Sequence, residues 1–379
     1  MKLMPLKDFC KMYQPSTIST KEMIPDGKYV VYGANGPIGR YNKFNHEEPQ
    51  LLITCRGATC GAVNMSEPFA WINGNAMVIQ PDLEFATLDY MKYAFLGGID
   101  VSSAITGSAQ PQITRTTLEV IKVPLPSLEK QREIVEKLDS AFAEIDFSYQ
   151  KTTESFDYLS SCFDSFLDKI LKNQILEFGQ KKMVDVLDIA RGGSPRPISS
   201  YLTNDKDGVN WVKISDATSS KKYITETSQK IKPEGVSRSR LVNPGDFLLS
   251  NSMSFGRPYI MGTTGCIHDG WLVLSNDRKL LNQDYLYYVL GSKYIYDQFN
   301  ITAAGSTVRN LNISLAGQVT FPVPDLETQE SLVTQLINFE TSIDELKKSM
   351  ADKLSKLIEL KNSILFSTFD LNESSKAVA

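Results

Sequence analysis

A chain of 379 residues with 42% apolar and 10% aromatic side chains can fill more than one packed core. Its formal net charge of −4 speaks against a uniformly basic nucleic-acid binder, and the five scattered cysteines, Cys10, Cys55, Cys60, Cys162 and Cys266, make no disulfide framework. No run reaches the roughly 18 apolar residues of a membrane span, and the opening MKLMPLKDFC lacks the apolar stretch of a signal peptide, so the cytoplasm is the expected location.

Residues 1–126 read as an α/β block of short strands: 29–32, then the glycine-rich turn 33–40, then 51–54, 56–59 and 76–79, with a helix at about 87–97. Cys55 and Cys60 form the only close cysteine pair. With no second pair or nearby histidine they read as free or buried thiols, not zinc ligands. A long helix follows over 127–176, capped by Ser127 and with Glu129 in its first turn. Its apolar rows are Leu128, Val135, Phe142, Tyr149, Phe156, Phe163, Ile170 and Gln131, Leu138, Ile145, Thr152, Leu159, Phe166, Asn173, a heptad seam. No Pro or Gly interrupts it before Gly179. About 45 residues at 1.5 Å each give a rod of roughly 65–70 Å, the scale of one to two turns of DNA.

The second block, 177–324, is again α/β. It has strands at 209–214, at 247–250 after the turn Asn243-Pro244-Gly245-Asp246, and at 271–274, with a helix at about 283–295. A second long helix begins at Asp325, with Glu327 in its first turn, and belongs to the segment 325–379. Its seam is Leu336, Phe339, Ile343, Leu346, Met350, Leu357, Leu360 and Ile364, with one polar slot at Lys353. Two such helices in one chain pack most simply on each other.

The two halves are copies. Gly107-Ser108 recurs as Gly305-Ser306, and 124–131 recurs as 322–329, both at an offset of 198. Over 107–167 the offset holds without a gap and gives 14 identities in 61 positions. Chance would give on the order of one in twenty, so the pattern is a duplication. Further upstream, Leu51–Thr54 parallels Phe247–Ser250 and Asn73-Gly74 parallels Asp269-Gly270.

Charge is partitioned between the parts. The segments 127–176 and 325–379 each carry 6 Lys/Arg and 10 Asp/Glu, a balance of −4 apiece. Block 1–126 carries 11 and 11, and block 177–324 carries 17 and 13, a balance of +4. A DNA binder places positive charge where phosphates lie and can be acidic elsewhere. The polar residues around the glycine turns suit base and phosphate contact. They are Asn35, Arg40, Arg56, Asn73 and Arg115 in the first block, and Ser194, Arg196, Lys213, Asn251, Arg257, Arg309 and Asn310 in the second. For any one of them, ordinary turn-making is the competing explanation.

No phosphate-binding loop, [DN]-P-P-[FY] methyltransferase motif, G-x-S-x-G elbow or H-E-x-x-H occurs. His46 and His268 are the only histidines, and neither lies in a catalytic constellation. Pro324-Asp325 with Glu345-Leu346-Lys347 matches a nuclease pattern formally. Some ~30 Å of helix between them prevents a shared metal.

The run P-L-P-S-L-E-K-Q-R-E-I-V-E-K-L-D at 124–139 resembles the repeated helical region of type I restriction-modification specificity subunits. R-G-G-S-P-R-P at 191–197 is similar to the opening of one of their target-recognition domains, and Y-G-A-N-G-P-I-G-R-Y at 32–41 to a turn of another. The order of domain, helix, domain, helix covers essentially the whole chain. The second helix departs from the pattern, with Ser331 and Thr334 where the first has Glu133 and Glu136, which puts symmetric partner contacts in doubt.

The resemblance implies an α/β fold: two globular target-recognition domains separated by two long antiparallel coiled-coil helices, with an internal pseudo-two-fold repeat. It implies no catalytic residue, metal or cofactor in this chain. Its partners would be double-stranded DNA, two methyltransferase subunits that bring S-adenosylmethionine and methylate adenines, and motor-nuclease subunits for restriction. Each domain would read one half of a bipartite, asymmetric site, and the helices would set the spacer and dock the methyltransferase subunits. Two other readings compete: a coiled-coil scaffold whose domains bind a partner other than DNA, and a stand-alone enzyme with an unrecognised site.

Overall fold

A computed structural model describes residues 2–107, 110–251, 255–276, 279–303 and 311–369. Two compact units emerge, Met1–Glu154 with Met350–Ala379, and Ser155–Ser349. The expected division at 126, 176 and 324 follows changes of secondary structure. The compact units cut both long helices instead, because each helix end buries its apolar side in the block beside it.

In the first unit the run LLIT is the strand Leu51–Thr54. It is flanked by Ala76–Pro81 and Val63–Met65, and Cys10–Tyr13 pairs with the outer edge of Ala76–Pro81. Leu51, Ile53, Met77 and Ile79 face one core, with Tyr90, Tyr93, Leu138, Phe142 and Phe369, while Leu52, Ala76 and Val78 face another with Tyr32 and Ile72. Both faces are covered, so these strands read as continuous apolar runs rather than alternating ones. The hairpin Tyr29–Gly33 and Gly36–Tyr41 adds a three-stranded sheet with Trp71–Ile72, and Leu88–Leu96 is the expected helix. The expected strand at 56–59 is only a bridge from Arg56 to Gln112 followed by a turn, with Gly57 and Gly61 at φ +90° and +93°.

The second unit repeats this plan. Phe247–Ser250 pairs with Trp271–Ser275 as Leu51–Thr54 pairs with Ala76–Pro81. Phe247, Leu249, Leu272 and Leu274 again face one core, and Leu248, Trp271 and Val273 another. A further five-stranded sheet runs Leu202–Thr203, Gln229–Ile231, Val209–Val212, Gly265–Ile267, Arg240–Val242. The strand expected over 209–214 stops at Val212, and the helix Ile214–Thr218 begins. The helix expected over 283–295 is two, Gln283–Gly291 and Lys293–Ala303. Ser292 causes the break: its hydroxyl donates to the Val289 carbonyl at 2.6 Å and accepts from the Ile295 N–H at 3.3 Å.

The long helices are Leu128–Phe178 and Leu326–Phe369, of 51 and 44 residues. Ser127 and Asp325 accept the N–H groups of Lys130 and Thr328 at 3.4 and 2.8 Å, as expected of N-caps. Gly179, at φ +67°, ends the first helix. In the first unit Asp146 pairs with Lys361 at 2.8 Å, while Phe369 lies against Tyr90 near the start of the first helix. In the second unit Phe166 lies 4.2 Å from Phe339, and Leu171 shares a core with Leu332. Each unit thus shows the same antiparallel pairing.

The strict heptad rows drift. Tyr149, Asn173, Leu346 and Leu360 point outward, while Ile134, Leu167, Leu171 and Gln174 of the first helix are buried and Leu354 of the second is half-buried. A straight helix departs from a seven-residue repeat by about 20° per heptad, so extra steps of four keep the seam on its partner. Lys353, expected in the seam, is exposed.

One side chain joins each block to its helix. Gln131 is fully buried. Its Oε1 accepts the Thr87 N–H at 2.9 Å, and its Nε2 donates to the carbonyls of Phe85 and Pro126 at 2.8 and 3.1 Å. Gln329, also fully buried, does the same for Asn282, Leu280 and Pro324 at 2.7, 3.0 and 2.8 Å. Replacing either with Leu leaves three backbone groups without their partner. We expect each of Gln131→Leu and Gln329→Leu to lower stability by about 2–4 kcal/mol in urea denaturation. An unchanged midpoint would count against this joint.

Candidate nucleic-acid interface

Sequence places an Ala34-Asn35 turn between two strands, and Gly36 at φ +109° lets it close. The Thr54 hydroxyl donates to the Ala34 carbonyl, and Asn64 Nδ2 donates to Asn35 Oδ1 at 3.4 Å. Just beyond Thr54, Arg56 is exposed and its backbone bridges Gln112. Arg115 opens the short helix that follows, its Nε 2.7 Å from Glu119. The hairpin tip, Arg56 and the 112–115 segment therefore gather at one end of the Leu51–Thr54 strand.

Arg40 lies toward the other end of the hairpin. Its Nε donates to the Gly27 carbonyl at 2.6 Å and its Nη2 to that of Lys28 at 2.9 Å, so its guanidinium clasps the chain.

Asn73 was expected as a surface contact, and the structure places it in the interior, 4% exposed. Its Oδ1 accepts from Ile18 N and Trp71 Nε1 at 3.0 and 3.2 Å, and its Nδ2 donates to the Ile18 carbonyl at 3.2 Å. An amide so filled holds a turn in place. Asn251 is likewise 1% exposed, with Nδ2 donating to the Asp269 carbonyl at 2.9 Å.

In the second unit the R-G-G-S run is zipped onto the turn before Trp271. Gly192 N–H donates to the Trp271 carbonyl at 3.0 Å and Gly193 N–H to that of Ile267 at 3.1 Å. A Cβ on Gly192 would lie 2.1 Å from the His268 carbonyl oxygen, so no other residue fits this approach without displacement. Arg191 Nε donates to the Asp269 carbonyl at 2.9 Å, and the Ser194 hydroxyl donates to Asp269 Oδ1 at 2.7 Å. Arg196 Nη2 lies 3.5 Å from Asp269 Oδ2, and Arg240 Nε donates to the Arg191 carbonyl at 2.8 Å. Ser194 and Arg196 thus stand beside two guanidinium groups, Arg191 and Arg240, and one carboxylate, Asp269, that sequence reasoning passed over. The signals for Asp269 were its Asp-Gly step ahead of an apolar strand and its place opposite Asn73 in the repeat.

Lys213 is half-buried, and its N–H donates to Asp216 Oδ2 at 3.0 Å. Arg257 is exposed on the wall of a cleft of about 300 Å³ lined also by Phe163, Tyr259, Tyr288 and Glu340. These two are not part of the Asp269 cluster's bonding. Arg309 and Asn310 lie outside the described residues.

The two units share backbone bonding at this end. Ile113 N–H donates to the Cys55 carbonyl, and Leu311 N–H to that of Asn251, both at 2.9 Å. Cys55 and Asn251 are therefore counterparts, and the platforms match while the side chains on them differ.

The Ser194 hydrogen bond holds Asp269 below the usual carboxylate range. Burial pushes the thiols of Cys10 and Cys55 up to about 12 and about 11, which favours the protonated thiol over a metal-binding thiolate. Among the described residues no group of His, Cys, Asp and Glu is placed to hold a metal, and no helix is long and apolar enough to cross a membrane. Both histidines are tied into the fold. His46 accepts from or donates to Tyr13 and Asn45 at 2.8 and 2.7 Å, and His268 Nδ1 accepts the Gly270 N–H at 2.8 Å.

The family model for the type I restriction modification DNA specificity domain matches residues 1–154 and 176–365. A Haemophilus influenzae protein named as a type I restriction enzyme specificity subunit is 25% identical over 348 residues, 88% of this chain and 84% of its own. The MjaVIII specificity subunit of Methanocaldococcus jannaschii is 21% identical over 286 residues, 68% of this chain and 64% of its own. Two solved structures share the fold. The HsdS subunit from Thermoanaerobacter tengcongensis has a TM-score of 0.61 at 18% identity, covering 97% of this chain and 96% of its own. A chain from a study of type I R-M complex assembly and conformational transition has a TM-score of 0.67 at 19% identity, covering 98% and 97%.

Burial lowers the pKa of His268 from its ordinary 6.5, so the folded protein disfavours the charged ring more than the unfolded chain does. The unfolded chain takes up the proton at about 6.5, and this part of the stability is lost as pH falls below that value. We expect His268→Asn to lose less stability between pH 7.5 and pH 5.5 than the parent chain in urea titrations. Equal losses would mean the ring titrates freely.

Proposed function

The chain belongs to the type I restriction-modification DNA specificity family, and from that premise we propose that it reads a bipartite, asymmetric DNA sequence, one half with each globular domain. The observation that supports this best is the duplicated platform carrying unlike faces. A common scaffold at both sites, seen in the paired Gln131 and Gln329 joints and the Cys55 and Asn251 bonds, suits two copies of one task. Different side chains on the two scaffolds suit two different sequences.

In this reading the chain performs no chemical step. The antiparallel helices set the unread spacer and dock two methyltransferase subunits. Those subunits bind S-adenosylmethionine and methylate adenines, and motor-nuclease subunits join them for restriction. A duplicated helical surface offers the same patch twice, which suits two identical subunits. The acidic residues concentrated on the helices leave the DNA-facing blocks neutral to basic, as phosphate contact requires.

The test is binding of the assembled methyltransferase complex to duplex DNA across a salt series, with methylated adenines mapped in parallel. Affinity that falls steeply with salt and a split, asymmetric methylation site are expected. Salt-independent binding, or a continuous palindromic site, would overturn the proposal; no DNA binding would favour a scaffold for another partner. Arg196→Ala should weaken discrimination in one half-site by about 1–3 kcal/mol per lost base contact and leave the other half unchanged. Because Asp146 pairs with Lys361, a spacer change needs matched insertions, one after Asp146 and one before Lys361. About four residues in each adds about 6 Å of helix. We expect the mapped spacer to lengthen by about 2 base pairs, at 3.4 Å per step, with both halves kept.

A further inference from the structure

Asp269 is the point on which the reading face of the second domain converges. Its carbonyl oxygen accepts from Arg191 Nε and from Asn251 Nδ2, both at 2.9 Å. Its carboxylate takes the Ser194 hydroxyl on Oδ1 at 2.7 Å and faces Arg196 Nη2 on Oδ2 at 3.5 Å. The segment it grips has little freedom nearby, because Gly192 and Gly193 are bonded to Trp271 and Ile267, on either side of the turn that carries Asp269. Beyond Ser194 the buried Pro195 anchors the chain, and the carboxylate is what the Arg196 side chain faces on this frame.

The electrostatic setting is as informative as the bonds. Three guanidinium groups gather around this turn: Arg196 faces the Asp269 carboxylate, Arg191 bonds the Asp269 carbonyl, and Arg240 bonds the Arg191 carbonyl. Arg191 and Arg240 are spent on backbone carbonyls through their Nε atoms, which fixes their planes. Arg196 is 81% exposed on its side chain and is held at the guanidinium by one 3.5 Å contact with the carboxylate, so it can turn to meet a ligand. Three guanidinium groups on an open face attract any phosphate, whatever the sequence. A carboxylate among them offsets part of that attraction, while its lone pairs orient the donors.

We propose that Asp269 is a positioning residue for DNA reading: it holds Ser194 and Arg196 in register and keeps the face from binding DNA indiscriminately. The inference rests on the DNA-reading proposal above and adds a specificity-determining residue to it. Arg196 exchanges the carboxylate for acceptors on DNA. A base edge that presents two acceptors in the right plane, as guanine does with O6 and N7, replaces it well, whereas a wrong base leaves Arg196 on Asp269.

The experiment uses the full chain assembled with its methyltransferase subunits. The parent complex's mapped site, single-base substitutions in each half, and random duplex are the probes. Asp269→Asn keeps the shape and an acceptor for Ser194 but removes the charge. We expect its discrimination in one half-site to fall about 10-fold, while affinity for random duplex rises and the salt slope steepens by roughly 1. The other half-site should be read as before. A purely structural role would lower affinity for every DNA in proportion, and that result, or unchanged discrimination, overturns the inference. Ser194→Ala retains the charge and the fold's backbone bonds. It should lose discrimination in the same half without the gain in random binding, which keeps the test decisive if Asp269→Asn folds poorly. If the parent complex itself shows no sequence preference, the DNA-reading proposal fails, an outcome separate from any effect of Asp269.

Discussion

The fold depends on a buried amide. Gln131 and Gln329 sit one turn inside their helices, where the backbone already supplies its own partners, and each spends its whole side chain on a neighbouring loop. An amide carries one acceptor oxygen and two donor hydrogens in one plane, so it can satisfy a helix-start N–H and two carbonyls together. In each unit the N–H it accepts, on Thr87 or Asn282, belongs to the N-cap residue of the next short helix. Domain and long helix are thereby locked in angle as well as contact. In a low-dielectric setting a fully satisfied network of this kind is rigid, and a half-satisfied one is costly. Tyr90 and Tyr285 add a second tie, donating to the carbonyls of Pro124 and Pro322 at 2.6 and 3.0 Å.

A third tie shows how such a joint tolerates change. The Tyr93 hydroxyl donates to Asp139, and that of Tyr288 to Glu340. Glu340 stands three residues beyond the counterpart of Asp139, at the position that Phe142 holds in the first helix. The longer glutamate one turn further along reaches the same hydroxyl. The geometry of the bond is kept and its sequence position is not, so matching aligned positions alone would miss it.

This explains how much was legible beforehand. The long helices were, because a seam sustained over six heptads has no other reading, and their caps were visible in Ser127 and Asp325. The exact seam was not. A heptad counts every seventh residue while a straight helix turns a little further, and Leu346 and Leu360 were placed inward by that arithmetic alone. The repeat was legible where it is ungapped. Upstream, the match of Leu51–Thr54 to Phe247–Ser250 at an offset of 196 was legible, but loops of unequal length hid others, such as Tyr90 with Tyr285 at 195. At the candidate interface, the glycine-rich run pointed to Arg196 and Ser194 as candidates, and the structure sets both beside Asp269. Asn73 and Asn251 were misplaced because an asparagine beside a turn looks the same whether its amide faces solvent or fills with backbone bonds. Asp269 escaped because its importance lies in what other segments bring to it.

The separation of scaffold from face has a physical consequence. The glutamine and tyrosine ties use buried atoms on the side of each sheet that meets the helices, within cores built from Leu51, Ile53, Met77 and Ile79, or Phe247, Leu249, Leu272 and Leu274. The guanidinium groups and turns of the candidate interface lie in segments at the strand ends, held by backbone bonds and by side-chain bonds from Arg40, Arg191, Arg240 and Ser194 rather than by the cores. Substituting Arg56 or Arg196 removes no core contact, whereas substituting Gln131 removes three hydrogen bonds at once. Stability and the proposed recognition would then draw on different residues, and the face could change without unseating the domain. Arg191, Arg240 and Asp269 belong both to the turn's geometry and to the charged face, and Gly192 admits no Cβ, so the second domain is least free to vary there.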